Sequence, residues 1–387
     1  MKSVSRESNI ELLKVIAVFM IVLCHTAITM TSVGSGHSNA IWFYDINSLP
    51  NCLEKFILTF YNYCGFLGND IFFVCSAWFM VDKKKNKTHK HYKVLKMETD
   101  VWIISAIFLT VFVICGVHMH KSTVIRALFP TVFNNNWFAT SYMVFFILYP
   151  WLNRCIEKIP RVYQKYACLF LVALICILLP LFQAVSDFRF TFSYLMMWAV
   201  VYLCVSYLKS YHRDLLNNQR FAIVVLLIGI TGLFSEVAAT YYLGESIPIF
   251  HGDGMRWNKC YNLFEWLLAF GCFNLFRSFR FHNLFINRLS SLSLLIYLIH
   301  GNFLVRRYVR PLLYNVIYSV FHNHYVSLWL LLFSLVVFVI SALLAYIYQN
   351  SIQKFAYHFS DKAGTAIVTY LSKRLPIRRR TYSHNSV

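Results

Sequence analysis

The chain is short of charge. Asp, Glu, Lys and Arg make up 13% of its 387 residues, about half the share usual in a soluble domain. Catalytic signatures are missing too. No P-loop, GxSxG, HExxH or DxD-type phosphosugar site is present, which argues against a nucleotide-driven pump and against a metal enzyme. Eleven cysteines are scattered, with no CxxC pair and no metal-ligand spacing. Several, among them Cys24, Cys168, Cys176, Cys204 and Cys272, sit inside apolar runs and read as small core residues. There is no internal repeat, no low-complexity tract and no segment that reads as a soluble domain.

Apolar sequence takes the place of what is missing. Hydrophobic residues reach 58% and mean hydropathy is +0.55. Runs of roughly twenty such residues recur along the chain, the length needed to cross a bilayer core. They are continuous rather than alternating, so helices rather than barrel strands satisfy the backbone in lipid. The expected fold is therefore all-α, a polytopic bundle of about ten transmembrane helices. The spans are 10–30, 56–81, 98–118, 137–153, 166–185, 191–208, 221–243, 260–277, 289–306 and 327–349. The first follows Lys2 and Arg6 but is too long for a signal peptide and lacks a convincing cleavage site. It is expected to stay attached. The domain division is a transmembrane unit over 1–350 and a basic cytoplasmic tail over 351–387.

The net charge of +20 would suggest nucleic acid in a soluble protein. Here the cations cluster in short connections, where they set topology and meet anionic head groups, and no nucleic-acid partner is expected. Lys83, Lys84, Lys85, Lys87, Lys90, Lys93 and Lys96 follow span 2, and Arg154, Lys158, Arg161 and Lys165 follow span 4. Lys209, Arg213 and Arg220 follow span 6; Arg277, Arg280 and Arg288 follow span 8. These alternate connections and the tail share one side, so both termini are expected in the cytoplasm of a multi-pass plasma-membrane protein. Arg306, Arg307 and Arg310 fall on the other side, against the pattern.

Polar side chains inside apolar spans are costly and point to function. In span 1 they are Glu11, Lys14 and His25. Lys14 and His25 are eleven steps apart, about three turns, so they share a face roughly 16 Å apart along the axis. Glu11 lies one turn from Lys14, within pairing reach. The plain alternative is that Glu11 and Lys14 are interfacial and His25 caps the outer end. In span 9, Ser293, Tyr297 and His300 fall on one stripe, which gives a second histidine with a phenol one turn away. A lone histidine of this kind commonly serves as an interhelical hydrogen-bonding group; two in separate spans point to a shared cavity. Asn134, Asn135, Asn136 and Trp137 open span 4, as a helix start with an aromatic belt residue also would. The connection holding His251, Asp253, Arg256 and Lys259 suits a sugar, as it suits any solvated loop.

Five segments in order resemble the acyltransferase 3 family of integral membrane O-acyltransferases. They are RESNIELLKVIAVFMIVLCHT, NDIFFVCSAWFM, HYKVLKMETDVW, KCYNLFEWLLAFGCFNLF and LSSLSLLIYLIHGNFLVRR. The family has a basic residue and a histidine separated by ten residues in span 1, matched by Lys14 and His25. Phe72, Phe73 and Ser76 match its FFxxSG-type segment, Tyr261 and Asn262 its YNS-type helix start, and Tyr297 and His300 its YLIH segment. Ala77 stands where the family often has Gly, and Lys14 where Arg is commoner.

The resemblance implies transfer of an acyl group, acetyl by default, from acyl-CoA to a hydroxyl of a cell-surface or exported glycan. It implies no bound cofactor and no metal, with acyl-CoA as co-substrate and the bilayer and a glycan acceptor as partners. Such a transfer needs a base for the hydroxyl proton and a cation near the donor or oxyanion. His25 and Lys14 are the catalytic candidates, with His25 as base or transient acyl carrier. Tyr297, His300, Glu11, Trp137 and Asn136 are the substrate-binding candidates, and Lys93 and Lys96 the donor-binding ones. The competing reading of the same polar stripes is a glycan exporter or lipid-linked sugar flippase without acyl chemistry, or an inert scaffold for envelope assembly.

Overall fold

The computed structural model describes residues 7–30, 52–81, 89–178, 194–243, 246–247, 261–312, 319–320, 325–358 and 360–361. Among them every regular element is a helix. Helices satisfy their own backbone hydrogen bonds, which an apolar environment demands. In chain order they are α1 (Ser8–Met30), α2 (Cys52–Val81), α3 (His89–Ile114), α4 (Lys121–Leu128), α5 (Trp137–Lys158) and α6 (Arg161–Ala173). A π-helical turn, Leu174–Leu178, continues α6. Then come α7 (Tyr194–Tyr211), α8 (Arg213–Asn217), α9 (Gln219–Leu243), α10 (Leu263–Ser278), α11 (Leu284–Ser291), α12 (Ser293–His300) and α13 (Val326–Asn350).

Among the described residues six stretches are long and apolar enough to cross a membrane: Ser8–Ile28, Leu53–Val81, Lys93–Ile114, Arg161–Leu178, Gln219–Ala239 and Val326–Asn350. They coincide with the first, second, third, fifth, seventh and tenth expected spans. The other four expected stretches are helical as well but are not marked out by length and apolarity. Pro150 lies inside α5, whose end carries Arg154, Glu157 and Lys158. Helix α7 closes on Lys209. Helix α10 has 16 residues, and the ninth stretch is divided at Leu292 into α11 and α12 of 8 residues each. The lysines of 82–88, the loop residues His251, Asp253, Arg256 and Lys259, and the tail beyond 361 lie outside the described residues.

The core runs between α1 and α2, where Ile10, Leu13, Ala17 and Ile21 meet Tyr63, Phe73 and Ala77, all nearly fully buried. Phe73 stacks on Trp198 with ring centroids 4.7 Å apart, joining α2 to α7. Small residues let apolar helices approach closely. A Cβ at Gly68 would lie 2.6 Å from the Ala17 carbonyl oxygen and 2.9 Å from the Ile21 side chain. Gly68→Val therefore forces α1 and α2 apart and is expected to destabilise the protein by about 1–3 kcal/mol. Thermal unfolding in detergent checks this; an unchanged midpoint would contradict the close packing.

Two further anchors fix the bundle. The Ser8 hydroxyl donates to Asn287 Oδ1 at 2.9 Å, tying the start of α1 to α11, whose own N-terminus is capped by Asn283. Buried Asp100 on α3 accepts from Tyr348 at 2.9 Å, Gln353 at 3.0 Å and Tyr357 at 2.6 Å. Burial, with the Asp100 carboxylate beside it, pushes the Tyr357 phenol above its ordinary range and keeps it a donor. Helical residues 352–358 are thereby held against α3.

Candidate functional site

The last turn of α12 ends inside the bundle, where helix-terminal carbonyls have no water to bond. His300 is the final residue of that helix and only 1% exposed. Arg310, 3% exposed, answers the need: its guanidinium donates to the His300 carbonyl and, at 3.0 Å, to the His25 carbonyl of α1. One buried cation thus clasps two helices at the backbone of the two histidines.

The side chains meet as well. His25 Nδ1 lies 3.0 Å from His300 Nε2. His300 Nδ1 lies 2.7 Å from the Ile296 carbonyl oxygen, which can only accept, so Nδ1 carries a proton. Neutral His300 then offers its Nε2 lone pair, and His25 must donate from Nδ1. The basic nitrogen of His25 is consequently Nε2. This is a fixed-tautomer chain, carbonyl to imidazole to imidazole, that orients a base as a carboxylate does in a hydrolase triad.

Tyr297, one turn before His300, packs beside both rings, with centroids 6.4 Å from His25 and 5.9 Å from His300. Phe138 meets Tyr297 at 5.6 Å and so brings α5 to the site. Trp137, the residue before Phe138, stacks on Tyr194 at 3.9 Å. Asn136 is buried at the start of α5, and its side chain makes no capping bond. The Ser293, Tyr297 and His300 stripe is buried throughout.

Lys14 stands apart from this pair, about three turns down α1. It bonds Glu11 at 3.1 Å, and Glu11 in turn accepts from the Ser290 hydroxyl of α11. Its ammonium lies 5.7 Å from the centre of the Phe79 ring. Lys96 pairs with Asp361 at 3.0 Å and covers the Tyr357 ring, whereas Lys93 is exposed. Neither lysine is joined to the histidines. Asn262 caps α10 by accepting from Phe264 and Glu265 amides, and its amide donates to Glu236 of α9 at 2.7 Å.

The residues that sequence reasoning missed are Arg310, Arg306 and the Ile296 carbonyl. A signal for the two arginines existed: they break the charge asymmetry of the connections, and a cation out of place is a candidate for burial. Nothing in the sequence indicates the carbonyl.

Among the described residues every element is helical, six helices are apolar and long enough to cross a membrane, and half-buried His25 meets buried His300, which marks a membrane protein. The family model described as an acyltransferase domain matches residues 7–347. The chain belongs to the acyltransferase 3 family and reads as a membrane acyltransferase. No curated protein and no solved structure matches it.

Proposed function

We propose that the protein is a membrane O-acyltransferase that moves an acyl group, acetyl by default, from acyl-CoA to a hydroxyl of a cell-surface or exported glycan. The observation that carries this reading is the 3.0 Å contact between His25 and His300, with the tautomers set by the Ile296 carbonyl. A half-buried base so oriented has no use in a passive sugar path, where charge and shape suffice.

In the proposed step the glycan hydroxyl attacks the thioester carbonyl carbon. The C–O bond forms, the C–S bond breaks, and His25 Nε2 takes the hydroxyl proton. The imidazolium that results is held by its Nδ1–H bond to His300 and returns the proton to the CoA thiolate, releasing the free thiol. Tyr297 and His300 line the acceptor side together with Trp137 and Asn136. Lys14, paired with Glu11, serves the donor side, and Lys93 and Lys96 serve the CoA phosphates, Lys96 after leaving Asp361. About ten spans with both termini in the cytoplasm put donor and acceptor on opposite sides of the plasma membrane. The segment after residue 350 is then a cytoplasmic tail.

The test uses purified protein in nanodiscs with labelled acetyl-CoA and envelope glycan. Label in the glycan with stoichiometric release of CoA thiol is expected. Glycan movement across vesicles with no consumption of acetyl-CoA would instead establish the exporter reading.

A further inference from the structure

Beside the histidine pair lies a junction with two buried polar atoms that lack partners. The Nε of Arg306 is sealed from solvent and makes no hydrogen bond, and so is Asn135 Oδ1. The two residues touch: an Arg306 guanidinium nitrogen donates to the Asn135 backbone carbonyl at 3.3 Å, while the Asn135 amide donates to the Arg126 carbonyl at 2.8 Å. Asn135 belongs to a turn in which Asn134 takes a left-handed conformation, φ 51°. Buried polar atoms without partners are costly and call for an explanation.

Among the described residues the charge around this junction is of one sign. Arg126 and Arg310 are the charged side chains within electrostatic reach of Arg306, alongside the Tyr297 phenol. Neither Arg306 nor Arg126 forms an ion pair among the described residues, and Arg126 lies over the Phe303 ring at 4.7 Å. Arg306 also lies within electrostatic reach of both His25 and His300. Two cations that meet no counter-charge among the described residues, beside a base, call for an anion, and only partly buried Arg306 leaves it reachable. The unbonded Asn135 oxygen adds a second demand, for a hydroxyl or amide donor. A phosphodiester whose headgroup has no hydroxyl meets the first alone; a sugar bearing a negative group meets both.

We infer that the acceptor is an acidic saccharide, its carboxylate or phosphate held by Arg306 and Arg126 and a hydroxyl of the same unit donating to Asn135 Oδ1, beside His25. This rests on the acyltransferase reading and narrows its substrate class.

The experiment compares oligogalacturonate, poly(glycerol phosphate) and neutral malto-oligosaccharide as acceptors for labelled acetyl from acetyl-CoA, using the full chain in nanodiscs. An acidic acceptor is expected to be favoured over the neutral one by about tenfold to a hundredfold in kcat/KM, the worth of one charge-assisted hydrogen bond. Which acidic probe wins distinguishes carboxylate from phosphate. Arg306→Gln collapses that preference and Arg306→Lys largely keeps it, so a folding defect is separated from loss of charge. Equal use of acidic and neutral acceptors by the unmodified protein overturns the inference and leaves acyl transfer standing. If no probe is acetylated, binding of the acidic probes to the protein decides: saturable binding lost in Arg306→Gln supports the anion site and removes the acyltransferase reading, and no binding overturns the site.

Discussion

His25→Ala is expected to lower acyl transfer by roughly a hundredfold to ten-thousandfold, the usual share of a positioned general base. The variant should remain folded, for three structural reasons. Arg310 holds residue 25 through its backbone carbonyl, which alanine retains. His300 keeps its bond to Ile296. The remaining core of α1, from Ile10 to Val22, is untouched. Loss of rate with an unchanged unfolding midpoint therefore assigns His25 to the chemistry. Near-normal transfer of labelled acetyl by purified His25→Ala would remove it. His300→Ala should cause a smaller loss, because it frees the His25 tautomer without deleting the base.

Arg310→Met is expected to act on stability first. It leaves the carbonyls of His25 and His300 without the donor that serves them inside the bundle. At about 1–3 kcal/mol for each buried orphan, the loss is roughly 2–6 kcal/mol. Activity falls with it, since the clasp is what brings α1 and α12 into register for the two rings. Arg310→Lys should recover little, because a single ammonium on a flexible stem does not reproduce the planar fork that reaches both carbonyls. Thermal unfolding in detergent measures the effect. A methionine variant that melts with the unmodified protein would show that the carbonyls find other partners and that Arg310 has no positioning role.

Much of this architecture was legible because lipid imposes a simple rule on sequence. Runs of apolar residues marked α1, α2, α9 and α13 to within four residues, whereas α3 begins nine residues before its expected span and α6 five before its own. Stretches bearing polar or broken sequence were harder. The ninth expected span hides the junction at Leu292, the end of α12 at His300 and the π-helical turn Val305–Val309, none of which a hydropathy count detects. Periodicity put His25 and His300 each on a polar stripe, but a stripe fixes only which way a helix faces. That the rings touch depends on how α1 and α12 cross. The same limit applies to Lys14, whose shared face with His25 was readable while its bonds through Glu11 to Ser290 of α11 were not.

Arg306 and Arg310 illustrate a different failure. Counted as loop cations they merely weakened the inferred topology. Placed against helix ends, Arg310 buried and Arg306 partly so, they are structural and electrostatic elements of the site, and their apparent violation of the charge rule is the trace of that role.

Everything proposed for the chemistry depends on a thioester and an alcohol meeting at the imidazole of His25. Mass spectrometry of envelope glycans tests this most directly, comparing cells that carry the unmodified protein, His25→Ala, or neither. The account predicts sugars heavier by one acyl group, labile to hydroxylamine, with the unmodified protein alone. Identical glycan masses in all three would contradict it.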